Sequence, residues 1–330
     1  MSKKREAYLS LSAMLRAREP RMLSREKAER MLDAPSFEEC AKLLTDCGYE
    51  DMSAMNAAQI DAALSKRRTE IFDEIAFLAP EPELVDVFRI KYDYHNAKVL
   101  LKAEAQGLDE EKLFSDSGRV RPALMKEARQ EERISLLPGV LGRALTEAGS
   151  ILARTANPQL ADFCLDKACF EELADLAKRV GSGFLDGYVK LLADSTNLRS
   201  AVRTLRMGRD IGYLHEALVP AGSVDEERLA AAATGDGLSA AFAGSALAKA
   251  AQLGDEAASG GAMTPFELAC DNAVNAYLGE AKFVSYGEQP VIAYLAAVET
   301  ELTAARMILT GRLAGIRPEV IRERLRDLYA

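Results

Sequence analysis

A carboxylate, an amide and a cation recur at one spacing: Asp93-x-x-Asn96-x-Lys98, Asp194-x-x-Asn197-x-Arg199 and, more loosely, Glu301-x-x-Ala304-x-Arg306. Carboxylates serve as general acids, general bases and metal ligands, so these acids are the first place to look for chemistry. Helix geometry argues against it. Acid and amide, three residues apart, share a helix face, whereas acid and cation, five apart, lie about 140° apart around the axis and cannot readily pair. Each side chain must then reach a neighbouring helix, where hydrogen bonds pin the register of packing. A catalytic carboxylate is tied to one substrate site, but this set recurs in separate copies, so Asp93, Asn96, Lys98, Asp194, Asn197, Arg199, Glu301 and Arg306 read as structural positions of a repeat. The competing reading, an all-α enzyme using Asp93, Asp194 or Glu301, requires a small-molecule activity that disappears when one acid is neutralised.

Other chemistry is harder still to find. The sequence holds no Gly-Lys dipeptide and hence no phosphate loop, and Gly181-Ser-Gly183 with Gly187 has the wrong spacing for a dinucleotide fingerprint. That glycine pair reads as a connection between helices. His95 and His215 are far apart, and the positions matching His95 in the other copies are Thr196 and Thr303, so packing or solvent exposure is expected. Cys40, Cys47, Cys164, Cys169 and Cys270 match no zinc or redox spacing and read as incidental thiols in a reducing cytosol. No catalytic residue, cofactor site or metal site is expected. A net charge of −9 and the absence of Trp argue against nucleic acid as a partner. The basic start Met1-Ser-Lys-Lys-Arg5 leads into no apolar core, and no window approaches the roughly 18 apolar residues of a membrane span. A cytoplasmic protein that meets a membrane only through a partner is expected. Basic runs, Lys66-Arg-Arg68 and Arg203…Arg206…Arg209, read as solvated faces or partner contacts.

The elements that must carry these positions are helical. Ser36-Phe-Glu-Glu39, Asn56-Ala-Ala-Gln59 and Ser223-Val-Asp-Glu226 have the form of capping boxes, and Thr264-Pro-Phe-Glu267 offers proline at a first helical position. Three apolar stripes lie at spacings of three and four: Leu84, Val87, Ile90, Tyr94, Ala97, Leu101; Leu185, Tyr188, Leu191, Ser195, Leu198, Val202; and Ile292, Leu295, Val298, Leu302, Ala305, Leu309. Each set occupies one helix face, as burial requires. Gly107, Gly208 and Gly315 fall where such helices should end. Leu113…Gly118-Arg-Val120 is echoed by Leu218…Gly222-Ser-Val224. The expectation is an all-α protein: three similar helical units, 1–110, 111–215 and 216–330, in approximate threefold pseudo-symmetry. The Ala- and Gly-rich stretch 229–263, broken at Gly235-Asp-Gly237 and Gly254, allows close helix approach, and Ser259-Gly-Gly261 reads as a mobile loop.

Against this background, Tyr92-Asp-Tyr-His-Asn-Ala-Lys-Val-Leu-Leu-Lys102 closely resembles the first repeat of the family of V-type ATP synthase C subunits, the counterparts of the d subunit of eukaryotic V-ATPases. So do Ala7-Tyr8…Arg16-Ala17, Leu23-Ser24…Met31-Leu32, Phe37-Glu-Glu39…Leu43-Leu44…Gly48-Tyr49, and the ending Arg306-Met-Ile-Leu309…Gly311…Ile321-Arg-Glu-Arg-Leu325-Arg-Asp-Leu-Tyr329. The resemblance spans the chain and is carried by motifs at both ends, by pattern through 110–290. Met14 stands where the family often has a basic residue, and Ala304 replaces the usual third Asn. The resemblance implies a funnel-shaped, non-catalytic central-stalk protein. It would receive the rotor axle and its small companion subunit at one end and rest on the proteolipid ring at the other, passing torque between ATP turnover and proton or sodium transport. A helical-repeat adaptor for soluble partners is the alternative that composition and periodicity equally allow. Copurification with axle and proteolipid subunits separates the two.

Overall fold

A computed structural model describes residues 3–107, 111–235 and 237–330. Met1 and Ser2 of the basic start, and Asp236 of the Gly235–Gly237 break, lie outside the described residues. Helix is the only regular secondary structure among the described residues, which form no strand. In order the α-helices are α1 (Lys3–Glu6), α2 (Leu9–Arg18), α3 (Arg25–Asp33), α4 (Phe37–Leu43), α5 (Ala57–Leu78), α6 (Glu83–Gln106), α7 (Pro122–Gln130), α8 (Gly139–Thr155) and α9 (Pro158–Val180). They continue with α10 (Gly183–Arg206), α11 (Ile211–Ala217), α12 (Glu226–Thr234), α13 (Leu238–Ala241), α14 (Ala248–Ala258), α15 (Met263–Gly279), α16 (Glu288–Leu313) and α17 (Pro318–Arg322). The three stripes fall on α6, α10 and α16, and every residue in them is buried.

Local sequence sets the ends of these helices. Asn56 and Gln59 close a full capping box at α5, and Ser36 and Ser24 cap α4 and α3. At α12 the cap is Asp225, two residues beyond Ser223, because the Ser223 hydroxyl is engaged elsewhere. Helix α15 begins at Met263, so Pro265 stands in its first turn and not at its first position. Gly107, Gly208 and Gly315 all have positive φ, between 62° and 71°, and a Cβ at any of them would meet open space. Backbone conformation, not crowding, selects glycine there. Gly181 ends α9 in the same left-handed conformation and Ser182 caps α10, so that glycine pair is a helix connection.

The chain divides into two compact units. One comprises the described residues up to Val85 with Glu267–Ala330, so both ends of the chain belong to it. Helix α16 is its axis: α5 packs antiparallel along it, as Arg68–Glu299 and Asp61–Arg306 record at 3.0 and 2.7 Å, and α2, α3 and α4 cover other faces. The run Lys66-Arg-Arg68 is therefore partly structural, since Arg68 and Glu299 are mostly buried.

The other unit is Asp86–Phe266. Helices α8 and α9 form its most extensive pair, α10 packs on α9, and α14 lies close on α10. A Cβ at Gly254 would fall 3.0 Å from Val202 and 3.2 Å from Phe266, which is the close approach the small residues permit. Asp255 holds the first amides of α13 (Leu238 and Ser239, 2.7 and 3.0 Å). Ser259–Gly261, expected as a mobile loop, forms the turn that follows α14. Gly260 takes φ +101°, the Gly261 N–H returns to Glu256 O at 2.9 Å, and Arg206 donates to Gly261 O and Ala257 O. Arg206 thus spends its guanidinium on helix-end carbonyls, which departs from a purely solvated basic face.

Candidate functional site

The repeated acids sit on the stripe-bearing helices and are almost fully buried: Asp93 at 0%, Asp194 at 4% and Glu301 at 6% exposure. A buried carboxylate only accepts hydrogen bonds, and helix interiors have no free N–H to offer. The acids therefore do not reach the body of a neighbouring helix, as helix geometry alone suggested, but loops where main-chain amides are unpaired. Asp93 accepts from Val120 N (3.0 Å) and Arg119 Nε (2.7 Å). Asp194 accepts from Ser223 N (2.8 Å), Val224 N (3.0 Å) and the Ser223 hydroxyl. Glu301 accepts from Leu23 N (2.7 Å) and the Tyr49 hydroxyl (2.5 Å). Val120, Val224 and Leu23 each stand directly before the N-cap of the following helix, Arg121 of α7, Asp225 of α12 and Ser24 of α3. Each acid thus clasps the entrance of a helix.

The amides complete two of the clasps. Asn96 both donates to Ser115 O (2.8 Å) and accepts from Ser115 N (2.9 Å), and Asn197 does the same with Val219 (2.9 and 2.8 Å). Ala304 can do neither. Ser115 and Val219 lie five residues before Val120 and Val224; five before Leu23 is Arg18, the last residue of α2. Its N–H is already within a helical ladder, so no side-chain amide is required there. Glycine follows the same logic. A Cβ on Gly118 or Gly222 would collide with Oδ1 of Asp93 or Asp194. The third clasp has Arg21 at that position, and the longer Glu301 reaches in from one methylene further away.

The cations differ among themselves. Lys98 pairs with Asp166 of α9 at 2.6 Å and Arg306 with Asp61 of α5, while Arg199 donates to Ser195 one turn back on its own helix at 2.8 Å. Around Asp93 the polar cluster extends: Arg119 also bonds Glu172 (2.9 Å), whose other oxygen accepts from Tyr94 (3.0 Å). Burial works against the Arg119 charge, but Glu172 and Asp93 outweigh it and hold the guanidinium above its usual value. Burial, with Glu172, pushes the Tyr94 phenol up, and burial with Glu301 does so for Tyr49. Burial raises Glu301 itself, against the pull of Tyr49 and the Leu23 N–H.

Arg119, Glu172, Ser223, Tyr49 and Leu23 are the partners that residue spacing did not single out. The echo between Gly118-Arg-Val120 and Gly222-Ser-Val224 held Arg119 and Ser223, and Leu23 and Tyr49 lay within the motifs of the family resemblance. His95 is exposed and touches Leu113 O at 3.0 Å, and His215 is exposed, so neither joins an acid. The cysteines carry free thiols, and burial raises Cys40 and Cys164 to about 11, well away from a reactive thiolate. Among the described residues no group of His, Cys, Asp and Glu has the disposition of a metal site, and no helix is long and apolar enough to cross a membrane. The buried acids face main-chain amides, hydroxyls and a guanidinium supplied by the chain itself. What they do chemically is hold loops onto helices.

An all-helical chain whose repeated buried acids serve its own packing defines a fold class, a body built of helices. Residues 11–324 match the ATP synthase (C/AC39) subunit family, and the chain belongs to it. It is 24% identical over 330 residues to the C subunit of the V-type sodium ATPase of Enterococcus hirae, covering 98% of this chain and 99% of that protein. It is 23% identical over 348 residues to the C subunit of the A-type ATP synthase of Methanocaldococcus jannaschii, covering 97% of this chain and 86% of that one. The corresponding C subunit of the V-type ATP synthase of Thermus thermophilus is 26% identical over 206 residues, 59% of this chain and 62% of its own.

Proposed function

We propose that this chain is the non-catalytic central-stalk coupling component of a V-type rotary ATPase, a counterpart of the d subunit of eukaryotic V-ATPases. It joins the rotor axle and its small companion subunit to the proteolipid ring on the cytoplasmic face of the membrane, and transmits torque between ATP turnover and proton or sodium movement. The observation that carries this reading is the family match over residues 11–324, together with near end-to-end similarity to the C subunits of a V-type sodium ATPase and an A-type ATP synthase. Three similar helical units in a funnel-like, pseudo-threefold arrangement fit the same reading. Support comes from the clasp that recurs at Asp93, Asp194 and Glu301, with the third closed by the segment around Leu23. With the units proposed at 1–110, 111–215 and 216–330, the third clasp takes its Leu23 amide from the first of them. A body close-packed around buried stripes transmits strain without absorbing it, which suits torque transfer. The test is purification of the complex from its native source through a tag on this chain. Axle and proteolipid subunits should copurify in fixed proportion. Recovery of soluble partners without them would favour a helical-repeat adaptor instead.

A further inference from the structure

The last described residues hold a second kind of site, independent of the clasps and of the functional reading above. After α17 the segment Leu325–Ala330 has no regular structure, yet Asp327 has both main-chain groups bonded to side chains: its N–H donates to Asn272 Oδ1 at 3.0 Å and its carbonyl accepts from Asn275 Nδ2 at 2.9 Å. Asn272 and Asn275 stand three apart on α15 and therefore share a face. The Asp327 carbonyl can only accept, and this orients Asn275 with its amide nitrogen toward the segment. One residue before the bracketed position, Arg326 pairs with Asp271 at 2.7 Å. Two residues after it, the Tyr329 ring lies under Lys282 Nζ at 4.6 Å, and its hydroxyl lies between Arg16 and Glu19. A cavity of about 130 Å³ remains beneath, lined by Asn275, Ala297, Thr300, Leu328 and Tyr329 among others. Main-chain groups bracketed by side-chain amides, an ion pair on one side and a tyrosine ring under Lys282 on the other follow the pattern of an extended peptide held in a groove.

We propose that α15 and α16 form a peptide-binding groove, and that Arg326–Tyr329 is its ligand held in cis as a releasable latch. None of the anchoring groups is a main-chain helix or sheet bond. The segment is therefore attached as a bound peptide is, and the same residues supplied separately will occupy the groove. The ligand class is an extended peptide with a basic residue before, and a tyrosine two residues after, the residue bracketed by the asparagines.

Two measurements decide it. A chain ending at Leu325 is titrated with the peptide Arg-Asp-Leu-Tyr-Ala; saturable binding tighter than about 1 mM is expected. Introducing Asn272→Ala with Asn275→Ala into the shortened chain should abolish it. In the full chain, the same double substitution should speed amide hydrogen exchange at Asp327 at least tenfold while the amides of α16 keep their protection. No saturable binding to a folded shortened chain overturns the proposal. If the shortened chain does not fold, exchange in the full chain decides, and an unchanged rate at Asp327 overturns it.

Discussion

Asp93 is constrained from three directions: a main-chain N–H, a guanidinium and a glycine that leaves it room. Removing the carboxylate leaves Arg119 half-compensated and the Val120 N–H without an acceptor. Because Glu172 still pairs with Arg119, the cost should stay below that of an uncompensated buried charge, at about 1–3 kcal/mol. Asp93→Ala should show that loss in equilibrium denaturant unfolding. Wild-type stability combined with altered turnover of a small molecule would instead revive the reading of Asp93 as a catalytic acid. Gly222→Ala tests the same kind of clasp from the other side, because the added methyl meets the Asp194 carboxylate; a loss of about 1–3 kcal/mol is expected. The buried phenols set a pH limit. Tyr49 and Tyr94 have pKa values raised in the fold above the unfolded value of about 10, by burial first and then by Glu301 and Glu172. A raised folded pKa contributes stability that is fully present below the unfolded value and is lost as pH climbs toward the folded one. The melting temperature should therefore fall above about pH 10. The double variant Tyr49→Phe, Tyr94→Phe should start lower at neutral pH and decline less steeply; an undiminished alkaline decline would contradict this assignment.

The elements were the most legible part of the sequence, for a physical reason. A helix that buries one face must repeat its apolar residues at three and four, so the stripes of α6, α10 and α16 declared themselves, and all their members are buried. Gly107, Gly208 and Gly315 were readable for a related reason: a left-handed residue closes such a helix, and glycine takes that conformation at least cost. Gly208→Ala should thus lose about 1 kcal/mol in thermal unfolding despite the open space around it. A neutral result would mean that the turn relaxes freely. What misled was local composition. The glycines at 260 and 261 gave no hint of the turn held by Arg206 at the end of α14, and Ser223 looked like a cap but gives its hydroxyl to Asp194. In both cases a partner distant in sequence decided the role. The clasp partners were hidden likewise, since Leu23 is separated from Glu301 by 278 residues and no spacing rule spans that interval.

At the scale of the molecule, the repeated buried acids are engaged by the chain itself, and the family match supplies what geometry alone does not: a place in a rotary ATPase. The proposed seat on the proteolipid ring is expected to be polar, so binding there should weaken as salt screens the contacts. Affinity indifferent to salt would indicate an apolar interface. The proposed mechanical coupling can be tested by reconstitution. The complete complex and one assembled without this chain are placed in sealed vesicles, and ATP hydrolysis and ion uptake are measured together. Without the chain, hydrolysis by the catalytic head should continue while ion uptake falls to background, and adding the purified chain back should restore uptake. Ion uptake that persists in its absence, or hydrolysis that vanishes with it, would contradict the account.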